Sequence, residues 1–245
     1  RAAPSLDAIL DAAIQEAVLY RDAGVDALIV ENMHDVPYTN RTVGPEITAA
    51  MTRLALAARG ESGLPTGVQI LAGANREALA AAFTAGCQFI RAEGFVFGHL
   101  ADEGYMDACA GDLLRYRRQI GAESVAILAD IKKKHSSHAI TGDVTLADTA
   151  RAAEFFLADG LIVTGAATGL EASLADLEEA GAASSLPVLV GSGVTAENLA
   201  RYWDVCDGVI VGSHFKRDGR WQNPVDGDRV ARFMDRVGEL RERSA

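Results

Sequence analysis

The chain has few cysteines, no long apolar run and a shortage of basic residues, and each absence closes off a class of protein. Its three cysteines, Cys87, Cys109 and Cys206, are scattered without CxxC spacing. That pattern argues against a disulfide framework and zinc ligands, and fits buried thiols in a reducing compartment. Lys and Arg number 23 against 34 Asp and Glu, a formal net charge of −11. No nucleic-acid or anionic-membrane surface is expected on such a chain, although one local anion site is compatible with it. The longest apolar runs are of strand length, far short of the roughly 18 to 20 residues that span a bilayer, and the N-terminus lacks the basic and apolar sections of a signal peptide. A soluble, cytoplasmic protein without membrane insertion is expected. No low-complexity linker or shift in composition interrupts residues 1–245, so a single domain is expected as well.

What is present is a steady alternation of strand and helix patterns. Strands are predicted at Ala27 to Val30, Gly67 to Leu71, Phe89 to Glu93, Val125 to Ile131, Leu161 to Thr164, Pro187 to Val190 and Val209 to Val211. The first helix, from Ser5 to about Ala23, carries Leu6, Ile9, Leu10, Ala13, Ile14, Ala17 and Val18 as an apolar stripe. Later helices open on the capping-box patterns Thr145-x-x-Asp148 and Ser173-x-x-Asp176, and Ala23-Gly24, Ala85-Gly86 and Asp159-Gly160 read as left-handed helix ends before a strand. The last helix is expected from about Val225 to Arg243. Strict alternation favours a (β/α)8 barrel over a doubly wound open sheet, with 49% hydrophobic residues to fill it. Seven predicted strands after a leading helix leave the barrel one short, and the missing first strand is expected upstream of Arg1.

Two strands end in small residues. Val190-Gly191-Ser192-Gly193-Val194-Thr195 follows one apolar run, and Val211-Gly212-Ser213-His214 follows the next. In a barrel, phosphate commonly binds at the loops after the last two strands, where backbone N–H groups converge. Gly191, Ser192, Gly193, Gly212 and Ser213 are therefore the candidate phosphate cradle; the plain alternative is a pair of strand-to-helix turns.

The chain also resembles the BtpA/SgcQ family. The resemblance rests on Ile29-Val30-Glu31-Asn32 with Asp35-Val36-Pro37, Phe89-Ile90-Arg91, Leu113 to Arg118, Ala129-Asp130 with Lys134-His135, Leu161 to Gly169, Val188 to Thr195 and Asp207 to Ser213. It covers nearly the whole chain. It implies a phosphate-binding (β/α)8 barrel whose usual first strand is absent from this sequence. The family is named for photosystem I biogenesis, which keeps a non-catalytic assembly role as the alternative to an enzyme.

Ionisable groups at strand ends are the candidate chemistry, because barrel enzymes draw their catalytic residues from there. Glu31, Arg91, Asp130, Lys134 and His135 form the catalytic set, with Asn32, Glu93, His99, Asp102, Thr164 and Gly165 lining the substrate. Glu31 and Asp130 suit general acid or base work, or with His135 could hold a divalent metal ion, the one cofactor candidate. The plain reading pairs Glu31 or Glu93 with Arg91 as a structural ion pair. Lys134 could form a Schiff base, although Lys132, Lys133 and Lys134 also read as a solvated run. Phe95 to Gly104 is expected as a loop, a lid over the barrel mouth, and His138 as an exposed loop histidine. Arg115 to Arg118 read as a charged outer helix face, and Trp203, Phe215 and Trp221 as internal packing or a contact between identical subunits, a homo-oligomer being the candidate assembly. Together these residues predict an enzyme that takes a small phosphorylated ligand, a sugar phosphate or nucleotide-derived compound, through isomerase or lyase chemistry.

Overall fold

A computed structural model describes residues 4–132, 135–165 and 171–244. In chain order the elements are α1 (Leu6–Asp22), β1 (Leu28–Glu31), α2 (Pro45–Ser62), β2 (Thr66–Gln69), α3 (Asn75–Ala85) and β3 (Phe89–Ala92). There follow β4 (His99–Ala101), β5 (Gly104–Met106), α4 (Ala110–Gln119), β6 (Ala126–Lys132), β7 (Ser136–Ser137) and α5 (Leu146–Phe155). The remainder is β8 (Gly160–Val163), α6 (Leu174–Ala183), β9 (Val188–Val190), α7 (Leu199–Tyr202), β10 (Gly208–Val209) and α8 (Gly227–Ser244). Two compact units divide the chain: Arg1–Arg91 with Arg115–Ala126, and Ala92–Leu114 with Ile127–Ala245.

In the first unit β1, β2 and β3 run parallel, with Leu28 opposite Thr66 and Gly67 opposite Phe89. Ser5 caps α1 by accepting from the Ala8 N–H at 3.2 Å. A cluster of Ala17, Leu28 and Ala58, flanked by Tyr20 and Val30, joins α1, β1 and α2. The apolar stripe of α1 is less buried than its pattern implies. Only Ala17 is fully inside, while Leu6 and Ile9 at the first turns are exposed. Gly67 is required by close approach rather than by φ, since a Cβ there would lie 2.2 Å from the Phe89 ring. Gly67→Ala is expected to cost about 1–3 kcal/mol through overpacking. A lowered urea midpoint would register it; an unchanged midpoint would mean the ring relaxes freely.

In the second unit β6, β8, β9 and β10 are parallel neighbours in that order. Leu161 stands opposite Val188, and Gly208 opposite Leu189. The runs Leu161–Val163 and Val188–Val190 are apolar because helices or loops cover both faces of such strands. The capping box expected at Thr145 and Asp148 is formed, and Ser173 caps α6. Gly160 serves differently from expectation. The left-handed residue after α5 is Leu157 (φ 64°), and Gly160 is a strand residue whose added Cβ would meet Leu128 Cδ2 at 2.7 Å. The expected lid loop is also a correction. Residues 99–106 form the β4–β5 hairpin, and β7 adds on the other side of β4 to make a small antiparallel sheet. Phe215 is core, 5.1 Å from the Phe233 ring, and the Trp203 indole N–H, at a half-buried position, donates to Ser244 Oγ at 2.9 Å.

Candidate functional site

Each unit carries part of the sequence-predicted set. In the first, Arg91 of β3 and Glu31 of β1 form an ion pair, Nη1 to Oε1 3.6 Å, with side chains 4% and 22% exposed. Asn32 is a local fastener: its Oδ1 accepts the Leu71 N–H at 2.7 Å and its Nδ2 donates to Asp35 Oδ2 at 3.2 Å.

In the second unit the ends of the parallel strands carry the rest. Thr164, after β8, spends its hydroxyl on the Lys132 carbonyl at 2.6 Å. The Gly165 N–H donates to Ser192 Oγ at 2.9 Å, and the Gly191 N–H to the Val163 carbonyl at 2.8 Å. Those two amides are therefore committed to holding adjacent strand ends together. The N–H groups of Gly193, Gly212 and Ser213 make no internal hydrogen bond among the described residues. Gly193 takes φ 74°, a left-handed conformation open to glycine at little cost.

Asn198, absent from the sequence-predicted set, fixes this turn. Its Nδ2 donates to the Gly193 carbonyl at 2.9 Å and to Glu171 Oε1 at 3.0 Å, while its Oδ1 accepts the Thr195 N–H at 2.8 Å. The spacing Thr195-x-x-Asn198 was the available signal, a side chain capping a turn three residues away. Helix α7 beyond it has four residues, so any anion here relies on local amides more than on a long helix dipole.

Arg229 is the second residue the sequence did not flag. Its Nε donates to the His214 carbonyl, and Nη2 lies 3.3 Å from His214 Nδ1. This brings a cation under the turn that starts at Ser213. Burial, followed by the Arg229 guanidinium, holds the His214 imidazole below its ordinary value, with the Glu197 carboxylate opposing them. The folded chain thus keeps His214 neutral where the unfolded imidazole takes a proton. The associated stability is complete above the unfolded value of about 6.5 and declines as pH falls through it towards the lower folded value. His214→Phe should flatten the stability profile between about pH 7 and 5, measured by urea melts; an equally steep profile would assign the loss elsewhere.

A cleft in the same unit is lined by Gly94, Phe97, His99, Asp130, His138 and Thr149, among others. His99 and Asp130 are 5% and 7% exposed, and Glu93 is buried one residue before Gly94. The expectation of His138 as an exposed loop residue is corrected. It is half-buried, its ring centroid lies 5.4 Å from that of His99, and its Nε2 is 3.2 Å from Ser136 Oγ. Asp102 sits exposed in the turn joining β4 to β5, and His135 is exposed with φ 53°; neither lines the cleft. Lys134 lies outside the described residues. Among the described residues, no three His, Cys, Asp or Glu side chains are grouped to hold a metal ion. The three cysteines are free, and burial pushes the thiols of Cys87 and Cys206 up to about 11, so both are poor nucleophiles.

Among the described residues, seven parallel strands, each followed by a helix, with small-residue turns after the last two, define an α/β protein of the (β/α)8-barrel class. Thiamine phosphate pyrophosphorylase from Pyrococcus furiosus shares the fold with a TM-score of 0.61 at 13% identity, the match covering 96% of this chain and 93% of that one. The chain belongs to the BtpA family, whose model matches residues 2–239. It is 37% identical to the photosystem I biogenesis protein BtpA of Synechocystis, over 96% of this chain and 82% of that protein. An uncharacterized mitochondrial protein of Caenorhabditis elegans is 49% identical over 96% of this chain and 87% of its own length. No described helix is long and apolar enough to cross a membrane. The name of the nematode relative places that protein in mitochondria.

Proposed function

We propose that this protein is an enzyme that holds the phosphate of a small metabolite at the ends of β9 and β10 and performs isomerase or lyase chemistry on the remainder. The observation that carries the reading is the set of N–H groups of Gly193, Gly212 and Ser213, at adjacent parallel strand ends and without an internal acceptor among the described residues. Asn198 holds the first turn in place, and Arg229 supplies positive charge below the second. Preorganised amides favour an anion without reorganising when it arrives. Ser192 belongs to the cradle as a strut, through its bond from Gly165, and Gly191 as a ladder residue that aims the turn.

Asp130 is the acid–base group of this reading, because it is a buried carboxylate lining a cleft at the same end of the same parallel strands. Glu31 and Arg91 are assigned to each other as an ion pair. A sugar phosphate or nucleotide-derived phosphate suits the cradle, and the acidic exterior does not oppose it, since distant surface charges are screened within about 8–10 Å. Thermal unfolding with a panel of phosphorylated sugars and nucleotides tests the reading. A selective upward shift supports it, and no shift across the panel at millimolar concentration would overturn it.

A further inference from the structure

The pairing of β4 with β7 sets Leu100 opposite Ser137 and Ala101 opposite Ser136. The residue before this pairing on one strand is His99, and the residue after it on the other is His138, so the ladder delivers the two imidazoles to one place. Their ring centroids lie 5.4 Å apart with the planes tilted by 38°, and both line the cleft that also contains Asp130. His99 and Asp130 are buried, whereas His138 is half-buried. Ser136 Oγ lies 3.2 Å from His138 Nε2 and helps to set the ring's orientation. Phe97, another wall of the cleft, takes φ 55°, and His135, just before β7, takes φ 53°. Such conformations are disfavoured for residues with a side chain and are kept where surrounding structure over-determines them.

We propose that His138 is a catalytic proton carrier of this cleft, with His99 as its positioning residue and a phosphorylated sugar with a free carbonyl as its substrate class. The proposal rests on the phosphate reading above. The imidazole of His138 takes the proton from the carbon beside the carbonyl. The Asp130 carboxylate moves the proton of the neighbouring hydroxyl onto the carbonyl oxygen, leaving an enediolate opposite an imidazolium. The imidazolium then returns its proton to the former carbonyl carbon, and the second oxygen becomes the new carbonyl. No atom is gained or lost, and both side chains end as they began.

Distance supports the substrate class. Strands lie about 4.7–4.9 Å apart, so β6 is roughly 10 Å from β9 and 14–15 Å from β10. A pentose phosphate has seven bonds from phosphorus to the carbonyl oxygen, about 8 Å at the reach per bond of an extended chain. Adding a hydrogen bond of about 3 Å at each end gives roughly 14 Å. A triose phosphate, two bonds shorter, spans roughly 12 Å, enough to reach β9 but not β10.

The test uses the whole chain in D2O with ribose 5-phosphate, ribulose 5-phosphate, glucose 6-phosphate and fructose 6-phosphate, reading ligand-induced thermal shift and deuterium entry beside the carbonyl by mass spectrometry. The wild type should bind at least one probe and exchange it. His138→Gln should bind it within about twofold yet exchange at least a hundredfold more slowly, in line with general acid–base contributions of 10²–10⁴. Ser136→Ala and His99→Gln, which disturb only the ring's setting, should fall between the two. Wild-type binding without exchange, or wild-type exchange by a folded His138→Gln protein, would overturn the assignment while leaving the phosphate reading intact. No binding of any probe by the wild type would overturn the phosphate reading itself, and the assignment with it.

Discussion

Replacing Gly193 with Val should remove phosphate binding while the protein still folds. The backbone at Gly193 takes φ 74°, where a β-branched side chain is strongly disfavoured, so the turn must change its path. The strain is of order 1–3 kcal/mol, within the reserve of a typical domain. For the ligand the consequence is larger. Charge-assisted hydrogen bonds from backbone amides contribute about 1.5–3 kcal/mol each, so loss of two weakens binding by at least about a hundredfold. A ligand at a hundred times its Kd stabilises the wild type by about 2.7 kcal/mol, an upward shift of roughly 5 to 11 °C for a protein of this size. The variant at the same concentration should shift by less than about 2 °C. Asn198→Ala should fall between, because it frees the Gly193 carbonyl and Thr195 N–H without forcing a new φ. A full ligand shift in a folded Gly193→Val protein would move the anion site away from this turn.

The parallel strands were legible because each is a short apolar run closed by small or polar residues, as at Leu161–Val163 and Val188–Val190, and such runs have few alternatives in an α/β chain. Helix starts at Thr145 and Ser173 were legible because a capping box is local chemistry. The β4–β5 hairpin was not, since strands of three residues are too short to show a periodicity. His138 was missed for a related reason. Its meeting with His99 depends on the β4–β7 ladder, and no local pattern around a histidine between Ser137 and Ala139 announces a partner that far away in sequence. Glycine roles divided in the same manner. Gly86 closes a helix with φ 68°, a role its neighbours foretold, whereas Gly67 and Gly160 are small because of side chains from other strands. The glycine-rich turns after β9 and β10 were legible as composition, but which of their amides are committed to the ladder, as that of Gly191 is, depends on strand register.

Glu31→Ala should destabilise the protein more than a surface substitution would, because it strips a carboxylate from a guanidinium that is 4% exposed. Removing one partner of a buried pair costs about 3–5 kcal/mol through the charge left behind. Here the carboxylate is 22% exposed and the separation is 3.6 Å, so water can partly replace it, and about 2–3 kcal/mol is the expectation. That corresponds to a fall in Tm of roughly 4 to 12 °C. Replacing both residues with apolar ones of similar size, Glu31→Leu with Arg91→Met, should recover a large part of the loss, since the pair is costly to break but not costly to do without. The cycle also separates structure from chemistry. If Glu31 serves Arg91, the double variant regains stability and keeps the ligand-induced shift of the wild type. If Glu31 serves the substrate, the single variant keeps its Tm and loses the ligand response, and the double variant does not restore it.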